Sequence, residues 1–322
     1  MDGLTKLKTL NQTVVITGAT SFIGMHLCNM FAKNNWRVIA AHSEQTSAHR
    51  TPQLERISQL TGTVEFEKFD VSDKKKIRNI VNKYAPDVWI QHAGYTCNYG
   101  SPNFDFNKGI AVNAGAIPIL FDVLKNKSCG IIITGSEAEY GHSRIPHKEN
   151  DIPQPDSLYG ITKLAQTITA HQQSDFYSVP TRVARLFLPF GTFDHPKKVI
   201  PLVTEALKNN FSIDLSPCSQ TRDFTGVRDI CEAYLKLAQD LTRGGFDVFN
   251  ICSGFAVELN TVLKLIAKAL GANQSNLKFG TISMREGEPQ RIIGNNDKAR
   301  TLLSWCPRSL DVALIEDLNL SG

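Results

Sequence analysis

Tyr159 and Lys163 are the residue pair whose types and spacing best suit acid/base chemistry. They stand four residues apart in SLYGITKLA, a segment predicted to be helical, so the phenol and the ammonium project from one helix face. We expect the cation to lower the phenol pKa toward neutrality, as proton transfer at a carbinol requires. Ser136 follows the apolar run GIIITG, where its hydroxyl could hold a substrate oxygen. These three residues predict a site for proton transfer at a carbinol.

A glycine-rich turn early in the chain predicts a site for a dinucleotide pyrophosphate. Gly18 and Gly24 lie six residues apart between a predicted strand and a predicted helix, with Ser21 midway. Small residues let the backbone approach a pyrophosphate, and a helix N-terminus offers unpaired N–H groups and a favourable dipole. The place of this turn, in the first strand-turn-helix of the chain, favours a dinucleotide over a merely tight turn. The predicted cofactor contacts here are Gly18, Thr20, Ser21, Phe22, Ile23 and Gly24.

The second predicted strand ends without an acidic residue at its tip, which bears on the choice of cofactor. An Asp or Glu about 20 residues after the glycines would select NAD by binding the ribose hydroxyls. Here the strand ends at His42 and Ser43, and the following loop contains Arg50. The absent carboxylate removes a repulsion that a 2′-phosphate would meet, so we favour NADP. Glu44, an acidic residue in the same loop, leaves NAD as the alternative cofactor.

The ends of the third and fourth predicted strands are expected to line the cofactor as well. Asp70, followed by Val71, could accept a hydrogen bond from an adenine amino group. The alternative role, a helix N-cap, is served better by Ser72 or Asp73. The fourth strand ends at His92, Ala93 and Gly94, where the backbone could pass beside the cofactor. A single histidine such as His92 is more often structural than catalytic.

Between about residues 13 and 190 the chain alternates short β-branched runs with longer helical patterns. The runs are VVIT, RVIA, VEFEKF, VWIQHA, GIIITG and TRVARLFL. Apolar strands joined by crossover helices predict an α/β fold with a doubly wound parallel sheet, a Rossmann fold. We assign residues 1–190 to this domain, with a further strand near 246–252. Residues 191–322 are expected to form a smaller, interleaved C-terminal substrate lobe with a helix from about Val257 to Leu270.

The composition argues against several other classes of protein. The 322 residues carry a net charge of +4 without a long Lys/Arg run, so nothing favours a nucleic-acid or membrane partner. Seven scattered cysteines without CxxC spacing indicate neither a disulfide framework nor a metal site. The segment MDGLTKLKTL lacks the apolar core of a signal peptide, and no apolar stretch is long enough to span a bilayer. We therefore expect a cytoplasmic protein.

Together these motifs resemble the extended short-chain dehydrogenase/reductases, in particular the nucleotide-sugar epimerase, dehydratase and ketoreductase branch. The first half of the resemblance consists of TGATSFIG, HAG, Asn113, Ser136 four residues before Tyr140-Gly141, and YGITK. The second half consists of TRDFTGVRDICEAY, VFNICSG, REGEP and DKARTLLSWCP. The resemblance covers essentially the whole chain, and the later segments separate sugar-nucleotide enzymes from steroid and flavonoid relatives.

The resemblance implies a role for each residue of the site. Tyr159 would be the proton donor or acceptor, Lys163 would hold the nicotinamide ribose, and Ser136 would bind the reacting oxygen. Asn113 would steady the site from the neighbouring helix. The predicted substrate contacts are Ser136, Glu137 and Tyr159 for the sugar, with Arg222 and Arg285 for the nucleotide diphosphate.

Two further points follow from the same resemblance. For Arg222 the alternative is a structural ion pair with Asp223 or Asp229. A homodimer is expected, since the helices on either side of the active-site strand commonly pair across a dimer axis in this family.

Two departures from the family pattern bear on the reaction. Sugar 4,6-dehydratases have a Glu two residues after the active-site hydroxyl, where this chain has Ala138, flanked by Glu137 and Glu139. If the segment continues as a strand from Ser136, alternation points both acids away from the side of Ala138, which weakens a dehydratase reading. Leu188 stands where epimerases and dehydratases commonly have a substrate-contacting Asn, so the sugar would be held differently.

These features lead to three hypotheses about function. The first is an NADPH-dependent 4-ketoreductase that reduces a nucleoside-diphosphate-4-keto-6-deoxysugar, with Tyr159 protonating the developing alkoxide and Ser136 stabilising it. The second is an NAD-dependent nucleotide-sugar 4-epimerase that uses the same residues to oxidise and then reduce its substrate. The third is a catalytically silent Rossmann scaffold or binding protein, which the intact Ser136, Tyr159 and Lys163 set disfavours.

Overall fold

The computed structural model describes residues 12–43, 51–62, 64–285 and 287–320. Among them the strands, in chain order, are β1 (Thr13–Thr17), β2 (Arg37–His42), β3 (Val64–Lys68), β4 (Val88–Gln91), β5 (Gly130–Ser136), β6 (Thr181–Leu186), β7 (Pro189–Phe190), β8 (Ile213–Leu215), β9 (Thr221–Arg222), β10 (Thr225–Gly226), β11 (Phe246–Ile251), β12 (Val257–Glu258), β13 (Leu277–Phe279) and β14 (Arg291–Ile292).

The α-helices of the same residues alternate with the long strands. In chain order they are α1 (Phe22–Lys33), α2 (Thr51–Ser58), α3 (Lys74–Tyr84), α4 (Phe106–Gly109), α5 (Ala116–Leu124), α6 (Leu158–Tyr177), α7 (Val199–Lys208), α8 (Val227–Asp240), α9 (Leu259–Ala269), α10 (Asp297–Leu303) and α11 (Leu310–Asp317). A π-helical turn covers Ile110–Ala114, and 3₁₀ turns cover Glu137–Glu139, Leu241–Arg243 and Gln274–Asn276.

Seven parallel strands form the main sheet, in the order β11-β6-β5-β4-β1-β2-β3. The order reverses at β1, which pairs with β2 on one side and with β4 on the other. In sheets of this kind ligands bind outside the carboxyl ends of the strands, at the point of reversal. The predicted doubly wound α/β fold is confirmed, and the further strand expected near 246–252 is β11, which pairs with β6.

The sheet has a packed core on each face, and successive side chains of its strands point into opposite cores. Val14 and Ile16 of β1 pack in a core with α1 and α8. Val15, between them, packs on the other side with Trp89 and with helices α3 and α5. Burial on both faces explains why the strands are continuous apolar runs rather than alternating ones.

A third core lies in the C-terminal part of the chain. It gathers residues of α7, α9 and α11 around Val203, Leu263 and Leu314. Short strands lie beside it, with β13 paired to β8 and β9 flanked by β12 and β14. Helix α8 belongs to this part of the sequence but packs on the main core. The two parts are therefore interleaved, and a division at residue 190 stays a prediction.

Three properties of the described residues bear on the expectations from composition. None of their helices is both long and apolar enough to cross a membrane. Their His, Cys, Asp and Glu side chains form no group of three or more that could hold a metal ion. All seven cysteines are present as thiols, five of them buried.

Asp223, directly after β9, joins three separate segments of the chain through one buried carboxylate. It accepts hydrogen bonds from the Ser253 N–H at 2.7 Å, the Ser253 hydroxyl at 2.6 Å, the Gly254 N–H at 3.0 Å and the Gly294 N–H at 3.3 Å. Because Arg222 immediately precedes it, this set of bonds also fixes the strand that presents the arginine.

Replacing Asp223 by alanine would leave several buried N–H and O–H groups without acceptors. Since an unsatisfied buried polar group costs about 1–3 kcal/mol, we expect Asp223→Ala to lower the free energy of unfolding by about 2–4 kcal/mol. Asp223→Asn, which keeps one acceptor oxygen, should lose less. Urea denaturation followed by circular dichroism measures both, and equal stability of Asp223→Ala and the wild type would contradict this account.

Candidate active site

The turn between β1 and α1 has the tight backbone geometry of a dinucleotide site. Gly18 has φ +69°, and a Cβ there would lie 3.1 Å from the Ala93 backbone. A Cβ on Gly24 would lie 2.1 Å from the Gly18 carbonyl oxygen, so only glycine fits. The turn opens onto the N-terminus of α1, whose N–H groups and dipole favour a phosphate. The predicted glycine pair thus forms a cradle that fits the pyrophosphate of a dinucleotide.

Ser21, where the family pattern has a middle glycine, is the N-cap of α1 and part of a hydrogen-bonded chain. Its Oγ accepts the Gly24 N–H at 3.1 Å and lies 2.9 Å from Nε2 of His92. Nδ1 of His92 lies 2.9 Å from the Thr134 hydroxyl, which in turn contacts the Tyr234 hydroxyl at 2.6 Å. Burial, and next the charge of Lys163, lower the pKa of His92 to about 4, so the imidazole is neutral. His92 therefore ties the cofactor turn to β5.

The end of β2 lies against the same turn. The Ala19 N–H donates to the Ala41 carbonyl over 3.1 Å, which brings the tip of β2, at His42 and Ser43, beside the glycines. Arg50 and Glu44 lie outside the described residues, so the predicted Arg50 contact stays a prediction.

Sequence reasoning missed Arg56 of α2 at the cofactor turn. Its guanidinium is buried and donates to the Thr20 carbonyl at 3.4 Å and the Phe193 carbonyl at 2.8 Å. It therefore places a positive charge beside the glycine turn. The only sequence signal for this contact is the position of Arg56 in an amphipathic helix pattern.

The residues predicted at the ends of β3 and β4 have well-defined partners. The Asp70 carboxylate is exposed and accepts the Ser72 N–H and hydroxyl at 2.8 and 2.6 Å. Asp73 caps α3 through the Lys76 N–H at 3.0 Å, so Asp70 is not the helix cap. Val71 packs against the core that lies under α3 and α5.

Asn113, in the π-helical turn, holds together the two segments that flank the site. Its Oδ1 accepts the Tyr95 N–H at 2.7 Å, and its Nδ2 donates to the Thr162 hydroxyl at 2.9 Å. A Cβ on Gly94 would lie 3.0 Å from that Oδ1, so a side chain there would press on Asn113. Asn113 thus joins the loop after β4 to α6, and its role in steadying the site stays a prediction.

Lys163 is buried beneath the site, at the end of β5. Its Nζ donates to the Thr134 carbonyl at 2.6 Å and to the side-chain oxygen of Gln166. Burial lowers the pKa of Lys163 to about 8, and the charge of Glu139 opposes this shift. Gln166 keeps its buried Nε2 without a hydrogen-bond partner in the structure.

Tyr159 does not have the lowered pKa that its spacing from Lys163 suggested. Burial raises the pKa of the phenol, and the charge of Glu137 raises it further, while the Ser136 hydroxyl lowers it. The rings of Tyr99 and Phe104 lie beside it, with centroids 5.6 and 5.9 Å away. The expectation of a phenol made acidic by Lys163 was wrong because burial and the charge of Glu137 raise the pKa instead.

The chain turns immediately after Ser136, so the continuing strand on which both acids would point away from the side of Ala138 is not formed. Glu137–Glu139 form a 3₁₀ turn with Ser136 as its N-cap. The Ser136 hydroxyl donates to Glu137 at 2.8 Å and accepts the Ala138 N–H at 3.2 Å. Glu137 therefore lies in the site, beside Tyr159, instead of pointing away from it.

Glu139, the last residue of this turn, is buried and paired. Its carboxylate accepts the Ser136 N–H at 2.9 Å, the Thr167 hydroxyl at 2.9 Å and Nε of Arg185 at 2.8 Å. Arg185 also donates to the Tyr140 hydroxyl at 2.8 Å. The two acids flanking Ala138 thus have different environments, one within the site and one within the core.

The two predicted phosphate-binding arginines have different environments. Arg222 is buried, and its guanidinium donates to Glu288 at 3.2 Å. It pairs with neither Asp223 nor Asp229, so those two alternatives were wrong; the carboxylate of Asp229 binds Arg308 instead. Arg285 is exposed and lies close to Gly100, whose Cβ position would be 3.4 Å from the Arg285 guanidinium.

Leu188, at the position where relatives commonly have a polar residue, is half-buried against the third core. Its backbone carbonyl accepts the Thr225 N–H at 3.0 Å. The side chain therefore serves packing between β7 and the C-terminal part.

Residues 14–252 match the sequence model of the NAD dependent epimerase/dehydratase family. The chain belongs to this family. It is accordingly an oxidoreductase-type enzyme of a family described as NAD dependent, and the hypothesis of a silent scaffold is set aside. The resemblance to the extended short-chain dehydrogenase/reductases is confirmed.

Individual relatives of the chain are distant but cover nearly all of it. CDP-abequose synthase of Salmonella muenchen is 25% identical over 302 residues, which cover 92% of this chain and 93% of that protein. UDP-glucose 4-epimerase of Rhizobium meliloti is 21% identical over 331 residues, which cover 95% of each. Identity at this level leaves the substrate open.

Solved structures show the same fold. The UDP-glucuronic acid 4-epimerase of Bacillus cereus, in complex with UDP-glucuronic acid and NAD, matches with a TM-score of 0.82 at 21% identity, covering 96% of this chain and 98% of that one. The dTDP-glucose 4,6-dehydratase of Bacillus anthracis, in complex with NAD, matches with a TM-score of 0.82 at 18% identity, covering 96% of each chain.

The Ser21–His92 contact generates a prediction about cofactor binding. Ser21→Ala removes both the helix cap and the partner of His92, and we expect it to lower stability by about 1 kcal/mol and to weaken NAD(P) binding several-fold. Ser21→Gly, which costs a cap only a few tenths of a kcal/mol, separates the two effects. Urea denaturation and calorimetric titration provide the measurements. Unchanged cofactor affinity in both variants would show that the contact does not support the turn.

The lowered pKa of Lys163 predicts a pH dependence of cofactor binding. The ammonium is present below pH about 8 and is lost as the pH rises through that value. If the charge holds the cofactor, affinity should fall by up to roughly tenfold per pH unit above this point. Calorimetric titration of NADP between pH 6.5 and 9.5 tests this. Lys163→Arg, which keeps its charge over the whole range, should show a flat profile; a parallel decline in both proteins would rule the explanation out.

Proposed function

We propose that this enzyme is an NADPH-dependent 4-ketoreductase that reduces a nucleoside-diphosphate-4-keto-6-deoxysugar. The observation that carries the proposal is the tip of β2, which ends at His42 and Ser43 without an acidic residue and so favours NADP, whose reduced form is the usual cellular reductant. A phenol that keeps its proton at neutral pH is suited to donate it to a developing alkoxide. An enzyme that begins by oxidising a hydroxyl needs the phenolate instead.

The residues present fit a nicotinamide dinucleotide along the carboxyl edge of the sheet. A reduced nicotinamide supplies the hydride that a carbonyl carbon requires. The glycine turn with Ser21 would hold the pyrophosphate, the tip of β2 the adenosine ribose, and Lys163 the nicotinamide ribose. Preference for NADP is supported by the absence of an acid at His42 and Ser43 and by the buried cation of Arg56 beside the turn.

In the substrate site Tyr159 would protonate the sugar oxygen at C4 while Ser136 binds it. Arg222 and Arg285 are suited to a diphosphate because a guanidinium group can bind two phosphate oxygens at once. A nucleotide sugar is also the ligand in the names of the relatives, which are a synthase of a CDP-sugar and epimerases of UDP-sugars. Ala138 provides no acid two residues after Ser136, which disfavours a 4,6-dehydratase.

The second candidate is an NAD-dependent nucleotide-sugar 4-epimerase. It is favoured by the family match and by the epimerases among the relatives. In that case Tyr159 would first act as a base, which requires the bound cofactor to lower its pKa considerably.

We further propose that the enzyme is a homodimer that pairs through α6. This helix exposes several large apolar side chains on its outer face, at Leu158, Ile161, Ile168 and Phe176.

Turnover assays with a panel of nucleoside-diphosphate-4-keto-6-deoxysugars separate the two functions. We expect NADPH to be consumed stoichiometrically with one of them, and the purified protein to release little NAD on denaturation. Tyr159→Phe should lower kcat by roughly 100-fold or more while NADP affinity stays within about twofold. Tightly retained, non-exchanging NAD without net consumption of NADPH by any ketosugar would instead establish the epimerase.

A further inference from the structure

Glu137 is an ionisable group at the centre of the site whose function the proposed reduction does not yet explain. Ser136 Oγ donates to Glu137 Oε2 over 2.8 Å, and the same hydroxyl is near enough to the Tyr159 phenol to lower its pKa. The Ala138 N–H, at 3.2 Å from Ser136 Oγ, holds the hydroxyl in place. The carboxyl group, the hydroxyl and the phenol thus form a continuous series of groups that can pass a proton.

We propose that Glu137 is the proton source for the site. After Tyr159 has protonated the substrate oxygen, Glu137 reprotonates the Tyr159 phenolate through the Ser136 hydroxyl. Glu137 acts through Ser136 rather than on the substrate, so it is a relay residue. This inference rests on the proposed ketosugar reduction.

The surroundings of Glu137 suit this role. Arg222 faces it from β9, Tyr159 faces it from α6, and Ser136 precedes it in the chain. Burial raises its pKa, while the bond from Ser136 and the charge of Arg222 lower it. The side chain stays partly exposed, so solvent can reload it with a proton. Glu139 is excluded from the same role because its carboxylate is buried and bound to Arg185.

The proposed steps balance in atoms and charge. The C4 carbon accepts a hydride from the reduced nicotinamide, the C–O π bond breaks, and the oxygen takes the proton of Tyr159. The resulting phenolate takes the Ser136 proton, and Ser136 takes the proton of the Glu137 carboxyl. The products are the alcohol, the oxidised nicotinamide and the Glu137 carboxylate, which solvent protonates before the next turnover.

The ionisation state of Glu137 also decides what Ser136 can offer the substrate. When Glu137 is ionised, the single Ser136 proton is directed to the carboxylate, as the observed bond shows. When Glu137 is protonated, it can donate to Ser136, and the Ser136 proton is available to the substrate oxygen. Reduction should therefore slow as the pH rises through the pKa of Glu137.

The kinetic test uses the ketosugar that the wild-type enzyme reduces, over pH 5.5 to 9. Glu137→Gln should lower kcat roughly 100-fold, leave KM within about threefold, and lose the alkaline decline of the wild-type profile. Glu137→Asp should restore part of both kcat and the decline, and the exposed Glu232→Gln on α8 is the matched control. A raised KM in Glu137→Gln with the wild-type kcat profile would overturn the relay and leave Glu137 as a sugar contact.

A second test needs no sugar and so stands apart from the proposed function. In the NADP complex, the Tyr159 phenol is titrated by its absorbance near 295 nm, with Tyr159→Phe as the subtracted reference. Removing the carboxylate charge in Glu137→Gln should lower the apparent pKa of Tyr159 relative to the wild type and to Glu232→Gln. An unchanged titration would overturn the coupling between Glu137 and Tyr159. If no ketosugar is reduced but the titration shifts, the proposed reduction fails and the coupled pair remains.

Discussion

The arrangement of the site depends on the buried ion pair between Glu139 and Arg185. A buried carboxylate is stable only when its oxygens are paired, and Glu139 meets this need with Arg185 of β6, Thr167 of α6 and the backbone at the end of β5. To reach these partners the chain must leave the strand direction at Ser136 and form a 3₁₀ turn. One interaction therefore fixes β5, β6 and α6 relative to one another.

This turn gives the two neighbouring acids opposite functions. Glu139 is held in the core, whereas Glu137 is directed toward the hydroxyl of Ser136 and the ring of Tyr159. The close packing of α6 against the turn leaves no room for adjustment, since a Cβ on Gly160 would lie 2.1 Å from the Ala138 carbonyl oxygen. The half-buried phenol therefore lies near the carboxylate of Glu137, whose charge raises the pKa of Tyr159.

The cofactor turn is connected to the same region through neutral hydrogen bonds. The Ser21 hydroxyl reaches Thr134 of β5 by way of His92, and the carbonyl of Thr134 receives the ammonium of Lys163. The charge of Lys163 would repel a charged imidazole in this position, and burial keeps His92 neutral. The turn that holds a pyrophosphate and the lysine expected at the nicotinamide ribose thus share one strand as their support.

The sequence by itself determined the fold and pointed to most members of the candidate site. Burial on both faces makes the strands continuous apolar runs, and the glycines at 18 and 24 are required wherever backbone segments approach so closely, so both features are local and readable. The ionisation of Tyr159, the direction of Glu137, the Glu288 partner of Arg222 and the cation of Arg56 were decided only by the tertiary structure. Each of these depends on which distant groups share a buried space, because desolvation and charge pairing act through space and leave no periodic signal in the chain.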